Sequence, residues 1–135
     1  AGALLKERGA KRVLPLPVSG AFHSPLMEVA RESFAEAVGR AQIRDASVPV
    51  YSNVTSSRVT SATEIRELMV LQLTSPVRWI ESVRNMAGAG IGRAFEIGPG
   101  NVLAGLVKRI ADTVEVVSVS EPVRIMEAVN EQAEG

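Results

Sequence analysis

The hydrophobic positions of this chain change period several times, and each change marks a predicted boundary. Ala1 to Gly9 reads as the back half of a helix closed by a glycine free to adopt positive φ. Arg12 to Val18 is a short apolar run in which Pro15 and Pro17 exclude helix. Because proline cannot donate to a ladder, the run predicts a short or edge strand. Ser24 before Pro25 predicts a helix N-cap and first helical residue. Leu26, Ala30, Phe34, Ala37, Val38 and Ala41 then form an apolar stripe at helical spacing, with Glu28, Arg31, Glu32 and Glu36 away from it, to about residue 41.

Val48 to Val54 is a β-branched and aromatic run of strand type, followed by a polar turn through Thr55, Ser56 and Ser57. Ser61 and Glu64 have the spacing of a capping box, which predicts a helix carrying Ile65, Leu68, Met69 and Leu73. Ser75 before Pro76 predicts a second helix start, with a stripe through Val77, Ile80, Val83 and Ala87, Trp79 beside it, and a corner near Thr74. That helix is expected to end in Ala87 to Gly90. Arg93 to Ile97 predicts a strand. Gly98, Pro99 and Gly100 then turn into a helix through Val102, Leu103, Leu106, Val107 and Ile110. Glu115 to Val119 predicts a further strand, and Glu121-Pro122 a terminal helix to about Gln132. Strands alternating with helices imply an α/β fold with a largely parallel sheet.

The chain of 135 residues is long enough for one domain with a core and too short for two full ones. Fifteen basic and fifteen acidic residues cancel without forming a basic block, so the electrostatic footprint of a nucleic-acid binder is missing. The absence of cysteine removes disulfides, thiolate metal sites and a cysteine nucleophile together. A single histidine, His23, is too few for the usual zinc ligand sets, and no metal is expected. No apolar run approaches the roughly 18 residues of a membrane span, and the start does not read as a signal peptide; a cytoplasmic location is the expectation. The start also lacks a cap residue and an initiator methionine, which suggests a piece of a longer protein.

Three features invite chemistry. The turn Gly98-Pro99-Gly100-Asn101 leads from strand to helix as phosphate loops do. Its spacing fits neither common fingerprint, since Leu103 stands where a glycine is needed and no Gly-Lys-Ser/Thr follows. A structural turn is the better reading. The carboxylate pairs Glu28 with Glu32 and Glu64 with Glu67 sit on solvated helix faces and read as surface charge. No Gly-x-Ser-x-Gly elbow marks any serine as a nucleophile. His23 remains. A lone histidine is more often a hydrogen-bonded structural residue, but here a glycine upstream and a capped helix downstream fix the ring and leave room beside it. Imidazole takes and returns a proton near neutral pH. Such a base would still need a nucleophile, for which the chain offers no good candidate.

Four blocks in register carry a resemblance. They are Val18-Ser19-Gly20-Ala21-Phe22-His23-Ser24-Pro25-Leu26-Met27, Val48-Pro49-Val50-Tyr51-Ser52-Asn53-Val54-Thr55, Gln72-Leu73-Thr74-Ser75-Pro76-Val77-Arg78-Trp79, and Phe95-Glu96-Ile97-Gly98-Pro99-Gly100-Asn101-Val102-Leu103. Together they resemble the C-terminal part of the malonyl-CoA:acyl carrier protein transacylase family, over nearly the whole chain to about Val123.

The resemblance implies a hydrolase-like α/β core for residues 19–135. Residues 1–18 would be the last helix and strand of an inserted ferredoxin-like subdomain. It implies malonyl transfer from coenzyme A to the phosphopantetheine thiol of acyl carrier protein through an acyl-serine. Malonyl-CoA and phosphopantetheine are substrates there, and no cofactor is needed. His23 falls on the family's general base and Gln72 on the position whose main-chain carbonyl orients it. Phe22 falls beside the reacting centre, where its bulk would disfavour an α-methyl group, and Ser24 is expected with it among the substrate-binding residues. The serine elbow, the arginine for the malonyl carboxylate and the glutamine loop are absent from these residues. The chain is therefore expected to supply the histidine half, to need the upstream part of the same enzyme, and to be inactive alone. An acyltransferase domain of a polyketide or fatty-acid megasynthase, or a non-catalytic α/β interaction module, are the alternatives.

Overall fold

A computed structural model describes residues 1–15 and 20–120. Helix α1, Gly2–Glu7, ends as its glycine predicts. Gly9 adopts φ 90°, and the amides of Gly9 and Ala10 reach back to the carbonyls of Lys6 and Leu5, both at 3.0 Å, which satisfies two carbonyls left over at the helix end. Residues 12–15 form no strand, and the remainder of that predicted strand lies outside the described residues.

The long helix expected from Pro25 is two elements. Pro25–Ala30 is a 3₁₀ helix and only Arg31–Arg40 is α-helical, here α2. A 3₁₀ turn has three residues rather than 3.6, so residues three apart eclipse one another. Leu26 and Val29 consequently share a solvent-facing side, 75% and 93% exposed, and Leu26 drops out of the predicted stripe. Ala30 and Phe34 are half-buried and Val38 is buried, while Ala37 and Ala41 are exposed, so only these three of the predicted stripe turn inward.

The predicted strand 48–54 shrinks to β1, Val50–Tyr51, which pairs antiparallel with β2, Arg58–Val59. The linker between them is too short for a parallel crossover, so the two strands pair as a hairpin. Within it Ser56 takes φ 55°, its amide bonds the Ser52 carbonyl at 2.8 Å, and its own carbonyl accepts from Asn85 Nδ2 at 2.8 Å. Helix α3, Ala62–Leu71, has Ser61 at its N-cap as predicted, but the hydroxyl makes no cap bond. Asp45 Oδ1 accepts from the Ala62 amide instead, at 2.8 Å. A bond from the Ala46 amide to the Thr60 carbonyl, 2.7 Å, carries Asp45 across to that position.

Helix α4 is Trp79–Gly88 with Arg78 at its N-cap, three residues later than the cap predicted at Ser75. The buried face also differs from the predicted stripe. Trp79, Val83, Met86 and Ala87 point inward at spacings of four, three and one, while Ile80 is 49% and Val77 41% exposed. Strand β3, Arg93–Ile97, helix α5, Val102–Ile110, and β4, Glu115–Val119, form a βαβ unit with β3 and β4 parallel, Phe95 opposite Val117. Val83, Val107 and Val114 are the buried centre of the core, wrapped by Trp79, Met86, Ala94, Ile110 and Val116.

The fold is thus α/β, but among the described residues the expected single, largely parallel sheet is two separate two-stranded sheets, one antiparallel and one parallel. The helix predicted from Glu121 lies outside the described residues. Among the described residues no helix is long and apolar enough to cross a membrane.

Candidate active site

His23 sits between two conformations that the chain must reconcile. Downstream, Ser24 is extended and caps the 3₁₀ helix, its Oγ accepting from the Leu26 amide at 3.3 Å with Pro25 at the first position. The Ser24 hydroxyl also donates to the Ala21 carbonyl at 2.7 Å, which closes a turn around His23. To fit inside that turn His23 takes φ 60°. The left-handed region costs an L-residue about 1–2 kcal/mol, and strain of this kind persists where neighbouring structure over-determines it.

The strained backbone aims the ring at the end of α3. Nδ1 of His23 lies 2.8 Å from the main-chain oxygen of Gln72, 49 residues away. Gln72 is the C-cap of α3, so its carbonyl belongs to the set that a helix end leaves without an intrahelical donor. A carbonyl only accepts, so Nδ1 carries the proton in this bond and Nε2 keeps a bare lone pair. The arrangement therefore holds the ring in one tautomer with its basic nitrogen free among the described residues, in an exposed position.

The ring opens onto a cleft of about 300 Å³ lined by Phe22, His23, Phe34, Asn53, Met69, Gln72 and Leu73. Of the residues singled out in the sequence, the structure brings Phe22, His23 and Gln72 together here. Phe22 is 61% exposed at the rim, and its ring packs so close to Gly20 that a Cβ there would stand 2.9 Å from it. Ser24 is not among the lining residues, its hydroxyl being used by Ala21 and Leu26. Phe34 and Met69 were legible only as members of apolar helix faces, and Asn53 only as the polar residue near the end of a strand run. Asn53 is held through its main chain, whose carbonyl accepts from the Arg78 amide at 2.9 Å.

The glycine-rich turn has a different construction. Gly98 and Gly100 take φ 140° and 93°, and Asn101 occupies the N-cap of α5 without a side-chain cap bond. Two of the amides that a phosphate would need are already engaged. Glu96 reaches from β3 and accepts from the Leu103 amide at 2.9 Å and the Ala104 amide at 3.0 Å, and from Ser118 Oγ of β4 at 3.1 Å. These bonds, led by the one from Ala104, hold the Glu96 carboxyl below the usual carboxylate range. The turn is a built-in carboxylate cap, in agreement with the structural reading of its spacing. Glu28 of the first carboxylate pair is engaged on the surface by Arg31 Nη1 at 3.0 Å. Among the described residues no cluster of three or more metal-ligating side chains exists.

No protein-family profile matches the chain. The malonyl CoA-acyl carrier protein transacylase of Bacillus subtilis strain 168 is 46% identical over 122 residues, which cover 90% of this chain and 38% of the relative. An acyl carrier protein S-malonyltransferase of Vibrio cholerae, solved as a crystal structure, superposes with a TM-score of 0.83 at 40% identity, covering 94% of this chain and 42% of that one. A malonyl-transacylase solved in complex with its type II PKS acyl-carrier protein gives a TM-score of 0.85 at 38% identity, covering 96% and 42%. The chain spans about two fifths of the length of the curated relatives it matches. Over the residues it spans, the chain belongs to the malonyl CoA-acyl carrier protein transacylase family.

Proposed function

We propose that residues 1–135 supply the histidine half of an acyltransferase that moves malonyl from coenzyme A to the phosphopantetheine thiol of acyl carrier protein. The observation that carries this reading is the 2.8 Å contact between His23 Nδ1 and the Gln72 carbonyl, made by a residue held at positive φ on the wall of an open cleft. A ring fixed in this tautomer presents Nε2 as a general base. The nucleophile is a serine supplied by sequence outside residues 1–135. Nε2 takes the serine proton as its oxygen attacks the thioester carbonyl, and the collapsing intermediate expels coenzyme A, whose thiolate takes that proton. The same nitrogen then deprotonates the phosphopantetheine thiol, which attacks the acyl-serine and regenerates the hydroxyl. The Gln72 carbonyl, at the negative end of the α3 dipole, stabilises the positive charge that the ring carries between these steps.

Phe22 at the rim crowds the carbon next to the thioester carbonyl and favours malonyl over its α-methyl homologue. Ser24 acts one step back, by holding the turn that aims His23. Residues 1–18 end a smaller subdomain and residues 19–135 belong to a hydrolase-like core. The large apolar side chains left at the surface, Leu26, Val29, Ile97 and Val102 between 66% and 93% exposed, support a chain that packs against further sequence of the same enzyme. The complex of a related malonyl-transacylase with its carrier protein supports that partner. The test is covalent trapping. A longer protein carrying this chain and the upstream residues, mixed with malonyl-CoA, is expected to gain one malonyl adduct on a serine outside residues 1–135. Residues 1–135 alone are expected to gain none, and a malonyl adduct on any of their own side chains would overturn the division of labour.

A further inference from the structure

The His23 cleft has a second cavity behind it. A space of about 200 Å³ lies between the hairpin and α3, with Val50, Tyr51, Val59, Ile65 and Leu68 as its apolar lining. Both spaces are lined by the same three residues, Asn53, Met69 and Gln72, which therefore form the partition between them.

The three members of the partition differ in freedom. Gln72 is fixed as the C-cap of α3 and by its bond to His23. Asn53 is tied through its carbonyl to the Arg78 amide. Met69 lies one helical turn before Gln72, half-buried, and its side chain is unbranched, with three rotatable bonds and no polar tether. It is the adjustable part of the wall.

We propose that Met69 is a specificity-determining residue, a side-chain partition that keeps the acyl group in the His23 cleft short by closing the passage to the apolar cavity. The inference rests on the proposed acyl transfer and extends it to chain length. A malonyl group ends in a carboxylate, which gains nothing from an apolar space and is costly to bury there unpaired. An unsubstituted acyl chain of several carbons gains by entering it, because each methylene leaves water for an apolar lining. Trimming Met69 therefore shifts the preference of the cleft from malonyl toward apolar acyl chains.

The test compares kcat/KM for hexanoyl-CoA and malonyl-CoA in the longer protein carrying this chain, wild type against Met69→Ala. The hexanoyl to malonyl ratio is expected to rise at least about tenfold, the scale on which pockets discriminate single methylenes. Adding Ile65→Phe to Met69→Ala refills the space from the same helix, one turn before residue 69, and is expected to reverse the gain. If Met69→Ala loses its cooperative thermal transition, Met69→Val, which shortens the same side chain, makes the same comparison. Malonyl transfer by both proteins with an unchanged ratio overturns the role of Met69 alone. Absence of His23-dependent malonyl transfer in the wild type overturns the proposed function and this inference with it.

Discussion

Two junctions in this molecule look alike in sequence and differ in what they leave free. Gly20 to Ser24 and Gly98 to Asn101 both carry glycine, and both lead into a helix. At the second, Glu96 reaches back from β3 and takes up the Leu103 and Ala104 amides, so two of the polar groups that a ligand would use are engaged within the fold. At the first, the Ser24 hydroxyl satisfies the helix start and the turn, and the ring beside it is left, among the described residues, with one nitrogen engaged and one free. A glycine-rich helix start becomes a site when local capping is completed by a neighbour and a further side chain remains unspent.

Substitutions break the comparison in a graded way. The largest effect is expected at the first junction: His23→Ala in the longer protein removes the base and lowers malonyl transfer by about 10²–10⁴-fold, with the folded spectrum intact. Transfer at the wild-type rate would return His23 to a structural role. Next comes Phe22→Ser at the rim, which opens space beside the reacting carbon. The preference for malonyl-CoA over methylmalonyl-CoA is expected to fall about tenfold, read as a ratio of kcat/KM values; an unchanged ratio would place selectivity elsewhere.

The smallest catalytic effect is expected at the second junction. Glu96→Gln leaves one carbonyl oxygen where two carboxylate oxygens accepted three bonds, so Tm is expected to fall by several degrees while malonyl transfer per folded molecule stays near the wild-type value. The pH dependence has a definite sign. Glu96 has a lowered carboxyl pKa in the folded chain, so its stabilisation is present above the ordinary carboxylate range and is lost as pH falls through the lowered value. Acid titration of Tm is expected to be shallower in Glu96→Gln than in the wild type. An unchanged acid limb would show that the carboxylate cap contributes nothing to stability.

Local signals in the chain settled what depends on nearest neighbours. Gly9 ends α1 because a C-terminal turn needs positive φ, and Ser24-Pro25 starts a helix because a hydroxyl cap and a missing amide suit the first turn. The β3 and β4 strands and α5 were legible for the same reason. The four motif blocks placed His23 and Gln72 in one family, and their contact was expected through that resemblance.

Other features depended on segments far apart in the chain. Asp45 displaced Ser61 as the cap of α3 because the Ala46 to Thr60 bond brings it within reach. The 3₁₀ start before α2 changed the period and turned Leu26 outward, and α4 turned Trp79 rather than Ile80 toward the core. The hairpin replaced one expected parallel strand because its linker is too short for a crossover. Above all, the chain alone named a histidine and a glutamine 49 residues apart. Only the tertiary structure put one at positive φ, left the other's carbonyl at an open helix end, and set Asn53 and Met69 between the resulting cleft and the cavity behind it. Hydrogen-bond partners and cavity walls are assembled across such distances, and helical period and capping patterns carry no record of them.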